Sequence, residues 1–533
     1  MLADCGGGGS ASNPPSASRS RPPSSSPPPQ PSAPTDVATY RDDVARTGAN
    51  LTESVLTPAN VNPSSFGLLR VLPVDGKVDA QPLYLSHLSI GGASHDVVLA
   101  ATEHDSVYAF DAQTGATLWQ VSLLGSGESP SDDRGCYQIS PEIGVTATPV
   151  IDRGAGPHGA MFVVAMSKDS SSNYHQRLHA LDITTGAELF NGPVTVNPSY
   201  SSPAGGQKSF EPGQYAERAA LLLENGTLYT SWTSHCDIQP YSGWIVGYSE
   251  STLAQTAVLN VAADSDAGPS IWMSGGGLAA DSSGNIYLLT ANGAFETTPD
   301  ANGFPQYGDY GNSFLKLSTA NGGLAVADYF TPATEVADSA ADADLGSGGA
   351  MLLPEAMDSG GVVRHLVVGA GKNGNLYVVN RDAMGKFSSS GGGGWQQLDR
   401  IFPGGIYSTP AYFNGTVYFG DVGGTLKAFA VTGAKLSSPP ASQTATQFPY
   451  PGTAPAVSAN GTSNGIVWAV QNSNPAVLHA YDAADLAHEL YNSNQASGNQ
   501  DHFGAGNKFI TPTIADGMVF VGTTNGVAVF GLL

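Results

Sequence analysis

The chain has 533 residues, of which 45 are acidic and 21 basic, for a formal net charge of −24. Only 12% are charged and 66 are glycine, against usual shares of ~25% charged and ~7% glycine. That excludes a mostly helical protein, which needs Glu, Lys and Arg on its solvent faces. It also argues against a nucleic-acid partner, because no Lys/Arg cluster is present to displace counterions. No apolar run approaches the roughly 18 residues of a membrane-spanning helix. What remains is a large β protein with short strands and many glycine turns.

The chain opens with Leu2-Ala3-Asp4-Cys5, placed as the lipobox of a bacterial lipoprotein would be. A Gly/Ser/Pro tract follows to about Pro34 and lacks Val, Ile, Leu and Phe, so it has nothing to contribute to a core. Extended, it would reach about 90 Å. Residues 1–36 are therefore expected to be a disordered tether, with Cys5 lipidated and the protein exported to the periplasm, the outer membrane or the outside. Asp4 departs from the small residue normal before such a cysteine, and no hydrophobic signal region precedes it. In an oxidising compartment Cys136 and Cys236 would be left as an even pair able to form a disulfide.

From about residue 37 a motif repeats. Residues 106–119 read Ser-Val-Tyr-Ala-Phe-Asp-Ala-Gln-Thr-Gly-Ala-Thr-Leu-Trp, and 178–190 read Leu-His-Ala-Leu-Asp-Ile-Thr-Thr-Gly-Ala-Glu-Leu-Phe. Each is a strand, an Asp that starts a turn, a Thr-Gly that ends it, and a second strand. Ahead of each copy lies a hairpin, with Asn225-Gly226, Asn414-Gly415 and Asp516-Gly517 as type I′ turn signals. Eight such four-stranded units begin near residues 80, 146, 216, 273, 347, 407, 453 and 510. A lone four-stranded sheet leaves a face bare, so the units must stack, and stacked radially they make an eight-bladed β-propeller. The last unit has three strands, and Phe66–Val74 would supply the fourth. A closed ring offers little edge, so a monomer is expected.

The Tyr-Ala-Phe-Asp-x-x-Thr-Gly-x-x-x-Trp repeat resembles the PQQ-like repeat of quinoprotein alcohol dehydrogenase-like propellers. Tyr40-Arg41-Asp42-Asp43 through Arg46-Thr47-Gly48 resembles that superfamily's lead-in, and the likeness runs over about residues 38–533. Its enzymes hold pyrroloquinoline quinone and Ca²⁺ over the channel, with an Asp as base. The resemblance implies Asn292 as a metal ligand, Asp344 as base and metal ligand, and Lys372 as the basic residue facing the quinone. Three features depart. Cys136 has no adjacent cysteine, so no vicinal disulfide caps the cofactor. The floor tryptophan would fall near Gly275, three residues after Trp272, the nearest candidate. The expected Glu ligand is replaced by the Lys168-Asp169 loop, where Asp169 could serve only with shifted geometry.

Two functions follow. One is an exported propeller with a degenerate quinone site that binds a small molecule, glycan or protein on its loops. Its longest loop, residues 294–311, carries Phe295, Phe304, Tyr307 and Tyr310 as a binding rim. The other is an oxidoreductase for alcohols or sugars that uses pyrroloquinoline quinone and Ca²⁺.

Overall fold

A computed structural model describes residues 36–203, 205–265 and 268–533. The expected tether and Cys5 lie outside the described residues.

Among the described residues, eight sheets each contain four antiparallel strands that follow one another outward in chain order, except that the last takes its outermost strand from near the start of the chain. The innermost strands of blades 1 to 8 are Leu83–Ile90, Val150–Asp152, Leu222–Glu224, Ala279–Ala280, Met351–Leu352, Ala411–Phe413, Ala456–Asn460 and Thr513–Ala515. Each begins a few residues after the start that the repeat predicts. The innermost strand of blade 8 contacts that of blade 1, which closes the ring.

The turns form as their residues dictate. Asn225-Gly226, Asn414-Gly415 and Asp516-Gly517 all have positive φ at both positions, as type I′ geometry requires. In the repeat itself the Thr114 amide donates to the Asp111 carboxylate at 2.7 Å. Gly115 then takes a φ of +78°, a conformation open to glycine without strain.

Closure is by strand exchange. Phe66–Pro73 pairs antiparallel with the final strand, Gly526–Leu532. Phe66 is fully buried, 5.4 Å from the Trp468 ring, 5.0 Å from Tyr491 and 6.3 Å from Phe530. Such ring pairs contribute about 0.5–1.5 kcal/mol each beyond area burial, so the chain's first long strand is locked between blades 7 and 8.

The lead-in segment crosses the middle of the ring and reaches every blade. Val37 exchanges backbone hydrogen bonds with Tyr84 of blade 1, and Ala38 accepts from Ile151 of blade 2. Val44, Ala45, Thr47 and Gly48 accept from Ala280, Leu352, Tyr412 and Val457 of blades 4 to 7. Arg46 donates to the carbonyls of Leu221, next to blade 3, at 3.1 Å and Leu278, next to blade 4, at 2.7 Å. Arg41 donates to Pro410 and Pro455, which precede blades 6 and 7. Asn50 Nδ2 donates to Ile514 of blade 8 at 2.8 Å. Both arginines are fully buried; carbonyl acceptors offset the loss of hydration that burial costs them.

Candidate functional site

Strands alternate in direction, so the loops after each second strand and the links between blades emerge at the same end of the ring. Those segments enclose a cavity of about 140 Å³, lined by Gln138, Arg218, Asp237, Trp272, Ser274, Asp344, Ser347, Lys372, Tyr407, Tyr450, Lys508 and Phe509. Tyr407, Tyr450 and Phe509 form an aromatic cluster, with ring centroids 5.5 to 6.4 Å apart. Phe509 has a φ of +66°, which is costly for a bulky residue.

The structure brings Asn292, Asp344 and Lys372 together. Lys372 Nζ lies 2.5 Å from Asp344 Oδ2 and 2.8 Å from Asp342 Oδ1. The Asn292 amide donates to Asp344 Oδ1 at 2.8 Å, and Asn292 Nδ2 donates to Asp342 Oδ1 at 3.0 Å. Asp344 is buried, and burial raises its carboxyl above the usual range against the pull of Lys372. Burial works to lower Lys372, but the Asp344 charge and the hydrogen bonds to Asp342 and Asp344 outweigh it and raise the ammonium. Lys372 is therefore a fixed cation at neutral pH, and Asp344 is a stronger base than an exposed carboxylate.

Trp272 lines the cavity, although spacing put the floor residue at Gly275. A φ of +58° at Gly275 lets the backbone pass against Phe509, and the indole three residues earlier reaches the cavity wall. Asp169 does not join the site. It sits in the hairpin Asp169–Asn173, accepting from the Ser171 and Asn173 amides at 2.8 and 2.9 Å. Cys136 and Cys236 are disulfide-bonded, with Cα atoms 5.6 Å apart. Their near neighbours Gln138 and Asp237 line the cavity. The 294–311 loop does not present the expected rim. Phe295, Phe304 and Tyr310 pack on Tyr329 at 6.4, 5.7 and 5.5 Å, and of the four aromatics Tyr307 is the exposed one.

Sequence reasoning missed Arg218, Lys508, Tyr407, Tyr450 and Phe509. A signal for Arg218 existed: Glu217-Arg218 interrupts an otherwise apolar stretch from Tyr215 to Leu223. The aromatics carried none, because they sit in links between blades, where the repeat is silent.

The residues do not form a Ca²⁺ site. Both oxygens of Asp344 are engaged, and the Lys372 ammonium stands between the two carboxylates a divalent cation would need. Among the described residues, no group of three or more His, Cys, Asp or Glu is placed to hold a metal ion. A planar anion fits better, since Arg218, Lys372 and Lys508 face the cavity beside aromatic rings. Its enclosed part is about the size that takes one benzene-like ring, so a tricyclic quinone needs the open mouth as well.

Residues 45–231 match the family profile described as outer membrane protein assembly factor BamB. No curated protein matches the sequence at a significant level. Among solved structures, quinohemoprotein alcohol dehydrogenase from Comamonas testosteroni is similar, with 15% identity and a TM-score of 0.63 over 93% of this chain and 80% of that one. The ADHIIG quinohemoprotein alcohol dehydrogenase of Pseudomonas putida HK5 gives 14% and 0.61 over the same shares. A europium-containing methanol dehydrogenase gives 13% and 0.61 over 93% of this chain and 98% of that one. At such identities the likeness is one of fold. With its repeat and its eight-bladed ring, the chain has the fold of the PQQ-like β-propellers, and the family profile matches residues 45–231 of it.

Proposed function

We propose that this chain is an exported ligand-binding propeller whose axial cavity takes a flat aromatic small molecule. The observation that carries this reading is the meeting of Trp272, Tyr407, Tyr450 and Phe509 around one opening with a charged edge at Asp344 and Lys372. Large apolar faces with a few placed polar groups are what small-molecule sites require. Export is supported by the Cys136–Cys236 bond, since such bonds persist in oxidising compartments.

A second reading, a quinoprotein dehydrogenase for alcohols or sugars, is favoured by the convergence of Asn292, Asp344 and Lys372. In it Asp344 would take the proton of the substrate hydroxyl, and Lys372 would hold a cofactor oxygen. Pyrroloquinoline quinone would supply the two-electron acceptor. The solved structures similar in fold include enzymes titled as alcohol and methanol dehydrogenases.

One titration separates the two. Tryptophan fluorescence would be followed as pyrroloquinoline quinone is added, with and without Ca²⁺, alongside dye reduction with alcohols and sugars. The binding reading expects saturable quenching independent of Ca²⁺, about tenfold weaker in Trp272→Ala for the loss of one stacking contact. It expects no dye reduction. Turnover that disappears in Asp344→Asn while binding persists would replace it with the dehydrogenase. Absence of quenching by this quinone and by smaller planar acids would overturn both.

A further inference from the structure

We propose that a second cavity, beside blade 3, is a sugar-binding site with the Trp244 indole N–H as its buried hydrogen-bond donor. It shares no lining residue with the axial cavity, so the proposal stands or falls apart from the reading above. The cavity measures about 320 Å³. Two segments build it. One is the link from blade 2 to blade 3, which carries a hairpin the repeat does not call for, Ser199–Ser201 paired with Gln207–Ser209. The other runs from Pro240 to Trp244, where the third strand of blade 3, Trp244–Ser249, begins. Tyr215, Tyr241 and Trp244 supply aromatic surface, and Gln207, Gln214 and Ser242 supply neutral polar groups. Binding functions are added to a rigid scaffold through loops of this kind.

The tryptophans single this place out. The chain has six, and four of them donate their indole N–H within the fold. Trp119 donates to the Ile183 carbonyl at 3.0 Å and Trp395 to the Ala434 carbonyl at 2.5 Å. Trp232 and Trp468 donate to the hydroxyls of Thr230 and Ser458, at 3.1 and 2.8 Å. The two without an acceptor among the described residues are Trp272 and Trp244, and each lines a cavity. Trp244 is wholly buried, its Nε1 included, so a donor is stranded at the base of the second cavity. Leaving such a donor unpaired costs free energy, and a ligand that brings an acceptor recovers it.

The polar groups of the lining set the chemical class. Gln207 donates through Nε2 to the Ser199 hydroxyl at 3.0 Å, and Gln214 donates through Nε2 to the Ile238 carbonyl. Both carboxamide oxygens are left to accept, with no donor among the described residues. The ligand must therefore accept at one point and donate at others, and a hydroxyl group does both. An ion is not provided for. Lys208, the cation of the lining, already donates to the Ser265 carbonyl at 2.6 Å. Glu211, the carboxylate, stands exposed at the rim, where it repels an anion and, screened by water, holds a cation weakly. A sugar ring carries several hydroxyls around its edge and presents an apolar C–H face to the aromatic surface. The space is about twice the roughly 150 Å³ that takes a benzene ring, which suits a disaccharide.

The test follows the six indole N–H resonances of the full chain by nuclear magnetic resonance as cellobiose, maltose and N,N′-diacetylchitobiose are added in turn. The Trp244 resonance is assigned by its loss in Trp244→Phe, or by elimination through the other five tryptophans. At least one of the three sugars should move it downfield and saturably, as its N–H gains an acceptor, and leave the Trp272 resonance in place. Gln207→Leu, on the exposed hairpin, should weaken that sugar by about fivefold for one lost hydrogen bond and leave the thermal melt unchanged. Full affinity in Gln207→Leu would overturn the assignment. So would a shift of Trp272 alone, which would move the sugar to the axial cavity. An equal shift with sodium acetate or methylammonium chloride would make the ligand an ion and sink the sugar. No shift with any probe would leave the cavity to water and end the proposal.

Discussion

Glu128 shows how one residue sets an acid limit. Its carboxylate accepts from Arg177 at 2.7 and 2.6 Å, from Ser167 at 2.7 Å and from the Gly125 amide at 3.0 Å. The Arg177 bonds, against burial, hold it down at about 2. A depressed carboxyl contributes stability above its unfolded value, and that contribution is lost as pH falls through the folded one. From ~4.5 to about 2 this is on the order of 3 kcal/mol. Urea unfolding of Glu128→Gln should therefore show a loss of that order at pH 7 that shrinks to nothing near pH 2. A loss independent of pH would mean that shape, and not charge, is what Glu128 supplies. At this same scale the sequence made part of the site readable. Asn292, Asp344 and Lys372 lie in short segments whose local pattern is characteristic, and they converge. Arg218 and Phe509 do not share a segment. Folding brings positions 291 apart in the chain (509 less 218) onto one ring contact, and no local pattern encodes that. Asp169 failed for the opposite reason: a short loop closes most simply on its own amides.

The element that recurs is the Asp-x-x-Thr-Gly turn, and it was legible because its chemistry is local. Asp182 accepts from the Thr184 amide at 2.9 Å and from the Thr184 hydroxyl at 2.5 Å, while His158, at the end of the preceding hairpin, reaches its other oxygen at 2.7 Å. Burial raises this carboxyl, but the bonds from Thr184 and His158 outweigh it and hold it below its usual range. The same arrangement ties His95 to Asp111 at 2.7 Å in blade 1. The turn is thus joined both to its own strand and to the strand before it. Asp182→Ala should cost about 1–2 kcal/mol, the loss of two or three partly buried hydrogen bonds. Asp182→Asn should cost less, because an amide oxygen still closes the turn. Scanning calorimetry decides between them; equal costs would mean that the His158 pair, and not the turn, carries the stability. The aromatic loop 294–311 shows where such reading stops. Its composition suggested a rim, but Tyr329 on the outer strand of blade 4 offers those rings a place to bury, and burial stabilises more than exposure does.

At the scale of the molecule, the blade count follows from repetition, since each unit is its own copy of one pattern. The lead-in has no period, so its part in the architecture cannot be read from pattern alone. Residues 37–50 contact all eight blades, and the ring is held at its centre as well as by the strand exchange at its edge. Arg46 ties the segment to two blades at once. It donates to Leu221, Leu278, Tyr40 and Thr39 at 3.1, 2.7, 2.7 and 2.8 Å. Hydrogen bonds from a charged donor contribute about 1.5–3 kcal/mol each, and they are not additive within one cluster. Arg46→Ala should therefore cost at least about 3 kcal/mol and leave the Leu221 and Leu278 carbonyls without their donor. The cost should have a location. Hydrogen exchange ought to quicken in blades 3 and 4 while the blade 7–8 seam, packed around Phe66, keeps its protection. Uniform quickening across all eight blades would show that the ring opens as one cooperative unit, and that the central segment is no more than one of many equal contacts.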